Sequence, residues 1–327
     1  MKAIVYTKYG PPEVLQLKEV EKPTPKENEV LVKVITTAVN DYDWSMVRGK
    51  PYLYRLMFGI IKPKRKIPGM ELAGIIEAVG TNTNTFKAGN EVYGDISGYG
   101  FGSFAEYICI NEKALKLKPG KMSFEQAASI PHASMLAVQA LIDIGKIQKG
   151  EKILINGAGG GFGTFGLQIA KLYSTEVTGV DTGDKLEMMK SIGFDHIIDY
   201  RKEDFTKNGQ RYDLILDAKT NRSTFNYLRS LSPNGRYVTV GGTTSRLLQA
   251  FFLGPIIRRF RKKNIRIVAL KPNKDLDYIN ELFEEGKIKP VIDGPYKLSE
   301  VPEAIRLFGE GKHKGKVVIT LEQNNKT

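Results

Sequence analysis

The sequence has few of the residues that build disulfides and metal centres. Cys109 is the only cysteine among 327 residues, and the three histidines, His132, His196 and His313, are scattered without the spacing of zinc ligands. An intrachain disulfide and a thiolate zinc cluster are therefore excluded, and we expect no bound metal. His132 follows Pro131 in a helical pattern, where we expect a buried, hydrogen-bonded side chain or, alternatively, one near a binding cleft.

Long apolar runs are also missing. No run reaches the roughly 18 residues that a membrane span requires. The opening residues, MKAIVYTKYG, have neither the apolar stretch nor the cleavage site of a signal peptide. We therefore expect a cytoplasmic protein.

Acidic residues are outnumbered, 36 against 49 basic ones, which gives a net charge of +13. Much of the surplus lies in KPKRK at Lys62–Lys66 and RRFRKK at Arg258–Lys263. Because neither run contains a nucleic-acid motif or interleaved stacking aromatics, a solvated surface is the favoured interpretation. Nucleic acid or a membrane surface stays open as a partner, since Ile256, Ile257 and Phe260 make the second run partly amphipathic.

The length and the changing residue pattern predict two domains of an α/β protein. Up to about residue 120, short runs of β-branched alternation broken by Gly, Pro and Asn predict a β-rich domain, a partly open barrel. Two helices follow, with an N-cap at Ser123 and a break at Pro131. From there strand-like and helix-like runs alternate, which predicts a doubly wound parallel sheet. The final strand, KVVITL, is expected to close the β-rich domain, because exposed sheet edges are liabilities.

A glycine-rich turn lies between a strand-like and a helix-like run in ILINGAGGGFGTFGLQIAKL, residues 153–172. Ala158, Gly160 and Gly163 occupy the three positions of a dinucleotide fingerprint, with alanine in place of the first glycine. Bare backbone N–H groups at a helix N-terminus bind phosphate, and side chains at the turn would block its approach. The next strand, EVTGVD, ends at Asp181, where a ribose-binding carboxylate is expected. These features favour dinucleotide binding over a turn that only packs a helix on a strand.

Six segments together resemble one family. They are MKAIVYTKYGPPEVLQL, VNDYDWSMVRG, PGMELAGIIEAVG, the glycine-rich turn, FDHIIDYRKEDF and HKGKVVI, in the family's order and over nearly the whole chain. The sequence is similar to the medium-chain dehydrogenase/reductase superfamily, specifically to its zinc-independent, quinone oxidoreductase-like branch. The resemblance implies a GroES-like catalytic domain, here 1–123 and 286–327, a Rossmann domain, here 124–285, and a nicotinamide cofactor.

The resemblance also allows the zinc ligands of related enzymes to be compared with this sequence. In the family's zinc-dependent alcohol dehydrogenases a cysteine and a His-Glu pair hold the catalytic zinc, and four closely spaced cysteines hold a structural zinc. Here Asn40 or Asp41 falls near the cysteine position, Met70 replaces the histidine before Glu71, and the cysteine cluster is missing. Without a Lewis acid, simple alcohol oxidation loses its main charge stabilisation.

A quinone or an α,β-unsaturated carbonyl compound accepts hydride more easily, because it spreads the incoming charge onto its own oxygen and hydrogen-bond donors suffice. We therefore expect a zinc-independent, NAD(P)H-dependent reductase of such compounds. Two alternatives stay open. One is an NAD(P)-dependent alcohol dehydrogenase, and the other is a nucleotide-dependent protein that binds RNA or a membrane surface with little turnover.

The resemblance places the catalytic candidates in two segments. Asn40 and Asp43 of VNDYDW are expected at the cleft, and Tyr52 near the nicotinamide and the acceptor oxygen, with Tyr54 as the alternative because the spacing departs from the family's. Asn40 and Asp43 alternatively only cap and brace a turn beneath Trp44. With an ordinary pKa of about 10 the tyrosine orients the acceptor, and solvent supplies the proton.

The cofactor candidates lie mainly in turns. The candidates for the pyrophosphate, by backbone contacts and one hydroxyl, are Gly160, Gly161, Phe162, Gly163 and Thr164. Gly241 and Gly242 end the strand YVTVGG and resemble the family's turn beside the nicotinamide, although such a pair alone marks only a turn. Lys316 in HKGKVVI either approaches the cofactor or is a solvated strand-end lysine.

Opposing signals bear on the choice between NADPH and NADH. Asp181 would bind both ribose hydroxyls of NAD and repel a 2′-phosphate. Lys185 and Tyr200 match positions that hold the 2′-phosphate in NADPH-using relatives, although they alternatively only begin a helix and end a strand. Arg201 adds a further positive charge. Since the local charge is net positive, we favour NADPH over NADH.

The acceptor is not identified by the sequence. Gly49–Lys66, with its apolar core LYRLMFGII, is expected to form a variable wall of a pocket for a hydrophobic acceptor, or alternatively a packed surface helix. Related enzymes pair through the last strand of the nucleotide domain, here IRIVAL, so the resemblance implies a homodimer.

Overall fold

The computed structural model describes residues 1–261 and 263–321, without the side chains of Arg258, Phe260 and Arg261. Lys262 of the second basic run and residues 322–327 of the predicted catalytic domain lie outside the described residues. The chain divides into two compact units. The first consists of Met1–His132, Pro272–Leu276 and the chain from Ile292 on, and the second of Ala133–Lys271 and Asp277–Val291. Relative to the predicted boundaries, residues 124–132 and 272–276 belong to the first unit and residues 286–291 to the second.

The first unit is built on a β-sheet that packs over a large apolar core, with a smaller apolar cluster around Ala3, Val5 and Ala105. Its strands are β1 (Lys2–Val5), β2 (Gln16–Glu19), β3 (Glu29–Ala38), β4 (Glu71–Val79), β5 (Glu91–Asp95), β6 (Tyr107–Asn111), β7 (Lys116–Leu117), β14 (Ile292–Lys297) and β15 (Lys316–Thr320). The main sheet has the order β14-β15-β3-β4-β5-β7, with β6 also paired to β3, while β1 and β2 pair separately. Val318 of β15 pairs with Ala38 of β3 in antiparallel register. The prediction that the last strand returns to the β-rich unit is confirmed.

Short helices connect these strands. They are α1 (Asp41–Arg48), α2 (Tyr54–Phe58), α3 (Phe124–Ser129) and α10 (Val301–Gly309). α1 begins after Asn40, the N-cap, and ends at Gly49, whose φ of 58° is the left-handed conformation that glycine adopts easily. α3 has the predicted N-cap, because Ser123 Oγ accepts a hydrogen bond from the Gln126 amide at 3.2 Å.

The second unit alternates strands and helices as predicted. Its strands are β8 (Lys152–Asn156), β9 (Glu176–Asp181), β10 (His196–Asp199), β11 (Tyr212–Asp217), β12 (Leu231–Thr239) and β13 (Asn264–Ile267). Its helices are α5 (Gly161–Lys171), α6 (Leu186–Ser191), α7 (Thr224–Ser230) and α8 (Thr244–Arg261), together with α4 (Pro131–Val138) from Ala133 on and α9 (Leu276–Glu284) from Asp277 on. The parallel strands have the order β10-β9-β8-β11-β12-β13, which in chain order is third, second, first, fourth, fifth, sixth. This is the order of dinucleotide-binding sheets, with the switch point between β8 and β11.

Sequence reasoning missed α8. Pro255 lies inside this 18-residue helix, and a Gly-Pro pair ordinarily interrupts helical hydrogen bonding. Packing compensates, because Ala250 and Ile257 are buried in the core of the second unit. Ile257 therefore does not belong to an exposed apolar face, whereas Ile256 is 54% exposed. Among the described residues, no helix is both long and apolar enough to cross a bilayer.

Candidate active site

The glycine-rich turn lies at the carboxyl end of β8, beside the switch point of the sheet. α5 begins at Gly161, and the first N–H groups of a helix have no partner within it, so they are available to a phosphate. Gly163 has to be glycine, because a Cβ there would lie 2.4 Å from both Cα and the carbonyl oxygen of Ala158. The turn therefore fits the pyrophosphate of a dinucleotide. Thr164 is 1% exposed and its Oγ1 donates to the Gly161 carbonyl at 3.0 Å, so its hydroxyl is engaged within the helix.

Asp181, at the end of β9, is turned toward the glycine-rich turn. Its Oδ2 accepts a hydrogen bond from the Gly159 amide at 2.8 Å, and its Oδ1 lies 3.2 Å from Lys185 Nζ. Both side chains are buried, and a Cβ on Gly159 would lie 2.5 Å from Lys185 Cδ. The ion pair neutralises the carboxylate and braces the turn from inside. Contacts of Asp181 with a ribose and of Lys185 with a 2′-phosphate stay predictions.

Two accessible groups follow β10 next to this ion pair. Tyr200 is 45% exposed, and its backbone amide donates to the Asp181 carbonyl at 3.2 Å. The Arg201 side chain is 57% exposed and its guanidinium lies 3.7 Å from the Asp184 carboxylate. Of the two predicted 2′-phosphate ligands, Tyr200 is therefore solvent-accessible and Lys185 is not, and the neighbouring Arg201 is accessible as well.

A buried hydrogen-bond network lies at the carboxyl ends of β11 and β12. Asp217 is fully buried and accepts from Asn156 Nδ2 and from the Tyr237 hydroxyl, each at 2.9 Å. Thr220 Oγ1 donates to the Gly241 carbonyl at 2.6 Å. Burial, reinforced by the Asp217 carboxylate, raises the pKa of Tyr237 above its ordinary range, so its hydroxyl remains a donor.

This network fixes the conformation of the predicted nicotinamide turn. Gly242 has a φ of 127°, and a Cβ there would lie 2.1 Å from the Lys219 carbonyl oxygen. Sequence reasoning identified Gly241 and Gly242 but missed Asp217. The available signal was that YDLILD, like EVTGVD, ends a strand in a carboxylate.

In the first unit, Lys316 is buried beside Glu71. Lys316 Nζ donates to Glu71 Oε2 at 2.5 Å and to Asn40 Oδ1 at 2.6 Å, and Asn40 Nδ2 donates to the same Glu71 oxygen at 2.5 Å. Glu71 is 0% exposed, and Lys316 and Asn40 are each 4% exposed. Lys316 is therefore not a solvated strand-end lysine. Its ammonium compensates a buried carboxylate in a closed network of three side chains, hereafter the Lys316 network.

Asp43 is also fully buried. Its Oδ2 accepts from the Asn40 amide and its Oδ1 from the Gly69 amide, both at 2.9 Å. Burial raises the pKa of Asp43 to about 7, although the two amide donors oppose the shift. This geometry caps α1 and ties it to the loop at Gly69. A catalytic role for Asn40 and Asp43 stays a prediction.

His132 is buried and hydrogen-bonded, as expected. Its Nδ1 lies 2.9 Å from Asp95 Oδ2, its Nε2 lies 3.4 Å from Asp41 Oδ1, and its backbone amide donates to Glu71 Oε1 at 2.5 Å. Burial lowers the pKa of His132, but the two carboxylates outweigh burial and raise it to about 10. The His132 side chain is therefore protonated at neutral pH. Its ring contacts Asp41 and Asp95, and its backbone amide links them to Glu71 of the Lys316 network.

The structure places Tyr54, and not Tyr52, in an aromatic cluster beside His132. The ring of Tyr42 has centroid distances of 6.0 to 6.5 Å to four other rings, those of Tyr54, Phe58, Phe101 and His132. Burial raises the pKa of Tyr54, so its hydroxyl stays protonated and can donate a hydrogen bond. Tyr52 is 68% exposed.

The side chains around Glu71 do not form a set of ligands for a zinc ion. Met70, at the position that corresponds to a histidine ligand in zinc-dependent enzymes, is fully buried, and Glu71 is paired with an ammonium group. In the part of the chain that the structure describes, no three His, Cys, Asp or Glu side chains are grouped so as to hold a metal ion. The positive charge next to Glu71 is supplied by Lys316.

Comparisons with known proteins agree with this picture. Residues 26–120 match the family model of the alcohol dehydrogenase GroES-like domain, and residues 192–319 match that of a zinc-binding dehydrogenase. The 2-methylene-furan-3-one reductase of Solanum lycopersicum is 33% identical, over 98% of this chain and 79% of the relative. The chloroplastic NADPH-dependent alkenal/one oxidoreductase of Arabidopsis thaliana is 32% identical over the same shares. The solved quinone oxidoreductase from Coxiella burnetii superposes with a TM-score of 0.86 at 26% identity, over 98% of this chain and 99% of that chain.

A GroES-like β-unit and a parallel sheet with a dinucleotide-binding turn define a nicotinamide-dependent oxidoreductase. The chain belongs to the medium-chain dehydrogenase/reductase superfamily, in its quinone oxidoreductase-like branch.

Proposed function

We propose that the protein is an NADPH-dependent reductase that delivers hydride to a quinone or an α,β-unsaturated carbonyl compound without zinc. The Lys316 network carries the proposal, because an ammonium group takes the place of the metal charge beside Glu71. Relatives named as reductases of a methylene-furanone, of alkenals and of quinones support the substrate class. Such acceptors carry the incoming charge on their own oxygen and need only hydrogen-bond donors.

The backbone amides at the start of α5 would hold the pyrophosphate of a nicotinamide dinucleotide, and the bound cofactor would supply the hydride. Asp181 and Lys185 keep the glycine-rich turn in shape. The Tyr54 hydroxyl donates a hydrogen bond to the acceptor oxygen as charge develops there. The neighbouring aromatic rings provide apolar contacts and exclude water, and solvent delivers the proton to the product.

The preference for NADPH over NADH is based on the charges of the Asp181–Lys185 pair and of Arg201, which follows β10. Lys185 neutralises Asp181, which would otherwise repel a 2′-phosphate, and Arg201 is accessible to bind one. Arg201→Gln is expected to weaken NADPH binding by about tenfold and to leave NADH binding unchanged, because one charge-assisted contact is lost. The matched control, Lys202→Gln, changes neither affinity. Fluorescence titration measures both, and tighter wild-type binding of NADH than of NADPH contradicts the preference.

A substrate panel tests the activity. Purified protein is mixed with NADPH and 2-alkenals, enones or quinones, and separately with NADP⁺ and alcohols, with and without a zinc chelator. We expect loss of NADPH with enones or quinones that the chelator does not change. Alcohol oxidation that the chelator abolishes identifies an alcohol dehydrogenase instead. Cofactor binding without turnover of any acceptor supports the nucleotide-dependent binding protein.

We further propose a homodimer through β13, the edge strand of the parallel sheet. The Val268 amide donates to the Thr239 carbonyl at 2.9 Å, so strand alternation directs the Ile267 amide away from β12. Ile267→Pro removes this outward donor and is expected to give a monomer by light scattering, while Ile267→Val remains dimeric. A monomeric wild-type protein contradicts the proposal, and a dimeric proline variant locates the contact elsewhere.

A further inference from the structure

The segment from Leu53 to Lys66, hereafter the 53–66 segment, exposes an apolar face. Five apolar side chains on α2 and directly beside it are 62 to 88% exposed: Leu53, Leu56, Met57, Ile60 and Ile61. Isolated exposed apolar residues are common, but a contiguous group of this kind marks an interaction surface.

The rest of the segment is anchored, so the apolar face is held outward. Phe58 is 7% exposed and its ring packs edge-on against Phe101 at a centroid distance of 5.5 Å. The Tyr9 hydroxyl donates to the Gly59 carbonyl at 2.5 Å, and the Lys64 amide donates to the Phe58 carbonyl at 2.7 Å. Tyr54 and Phe58 therefore pack as expected for a surface helix, whereas the five exposed apolar residues do not.

The apolar face is followed at once by the first basic run. Its four cationic side chains are exposed: Lys62, Lys64, Arg65 and Lys66. A surface complementary to both parts must present negative charge next to an apolar layer. A second copy of this chain would bring like charges together, which is unfavourable. An anionic bilayer has the required chemistry, since its phosphates attract lysine and arginine and its acyl chains accept apolar side chains.

We propose that the 53–66 segment binds the surface of an anionic bilayer. The apolar face enters the boundary between headgroups and acyl chains, and the basic run contacts the lipid phosphates. The protein then lies on the membrane without spanning it. This inference does not depend on the proposed reaction, because it rests on exposure and charge in the first unit alone.

Vesicle flotation tests the proposal. Phosphatidylcholine vesicles are compared with vesicles containing phosphatidylserine, and NADPH affinity and circular dichroism verify that each variant is folded. We expect binding to the anionic vesicles only, reduced by added salt. Lys62→Gln, Lys64→Gln and Lys66→Gln combined are expected to reduce binding by at least about tenfold. The matched control removes three exposed lysines elsewhere, by Lys18→Gln, Lys121→Gln and Lys149→Gln, and keeps most of the binding.

A second variant separates lipid insertion from simple charge attraction. Leu56→Ser, Ile60→Ser and Ile61→Ser combined keep every charge and are also expected to lose vesicle binding. Full binding by this serine variant would overturn the proposal in favour of a purely electrostatic polyanion site. Equal losses in both lysine variants would show that only net charge matters, which also overturns it. A wild-type dimer that the serine variant dissociates, without vesicle binding, would assign the face to a second copy of the chain.

Discussion

At the level of single residues, buried charges decide which substitutions the first unit tolerates. Lys316 and Glu71 are nearly inaccessible, so each compensates the other. Lys316→Met leaves the Glu71 carboxylate buried without its cation and is expected to lower the free energy of unfolding by about 3–5 kcal/mol. Glu71→Gln added to it removes the leftover charge and recovers part of the loss. Urea denaturation of the single and double variants measures this coupling, and additive losses would contradict it.

Asp43 predicts a pH dependence of stability. Its pKa is about 7 in the folded protein and about 3.9 when unfolded, so the folded state binds the proton more tightly. Protonation of Asp43 therefore adds about 4 kcal/mol to the free energy of unfolding below about pH 4. This stabilisation is lost as the pH rises to about 7. Asp43→Asn cannot ionise, so the decline in unfolding free energy over this range should be smaller than in the wild type. Identical slopes for the two proteins would show that Asp43 does not titrate there.

The two neighbouring tyrosines provide a matched pair for catalysis. Tyr54 lies in the aromatic cluster near His132, while Tyr52 is exposed. Tyr54→Phe removes one hydrogen bond to a developing oxyanion and is expected to lower kcat about 10²-fold, with little change in NADPH affinity. Tyr52→Phe should leave kcat within about twofold, since it loses no such bond. Steady-state kinetics with an enone distinguishes them, and the reverse order would return the role to Tyr52.

At the level of elements, the contact between α5 and the turn before it depends on one glycine. A Cβ at Gly163 meets the backbone of Ala158 at 2.4 Å, so α5 must move away from β8. Gly163→Ala is expected to weaken NADPH binding by at least about tenfold, because the helix N-terminus no longer faces the phosphates. A Cβ at Gly166, on the same helix, meets only the tips of two side chains, Ile155 at 3.3 Å and Leu216 at 3.9 Å, so Gly166→Ala should bind normally. Equal affinities of both variants would contradict this account of the turn.

Elements with local signals were predictable from the sequence, and those fixed by packing were not. The Ser123 N-cap, the break at Pro131 and the alternating strands all have short-range causes. α8 was missed because its Gly-Pro pair is a local interruption that burial of Ala250 and Ile257 offsets.

In the candidate site, too, features with a local sequence signal were predictable and contacts between distant residues were not. Asn40 and Asp43 could be singled out from one short segment, but the partner of Lys316 could not, because Glu71 lies 245 residues away along the chain. The buried pair of Asp181 and Lys185 was also hidden. In the sequence, Asp181 favoured NADH and Lys185 favoured NADPH. Only the structure shows that the two side chains form an ion pair with each other.

At the level of the whole molecule, two surfaces of different character remain outside the reaction. The β13 edge offers backbone hydrogen bonds to a second copy, and the 53–66 segment offers apolar and cationic side chains to a lipid surface. The net charge of +13 favours approach to anionic partners in general, so salt dependence alone does not identify the surface used. Substitutions confined to one surface do.

The proposed reaction delivers hydride to the carbon chain of an activated acceptor without a metal. Reduction of an enone with NADPH that carries deuterium at its transferable position tests it most directly. We predict a saturated ketone with deuterium on its β-carbon, in equal yield with and without a zinc chelator. An allylic alcohol with deuterium on the carbonyl carbon, or a product that forms only with zinc, would contradict the account.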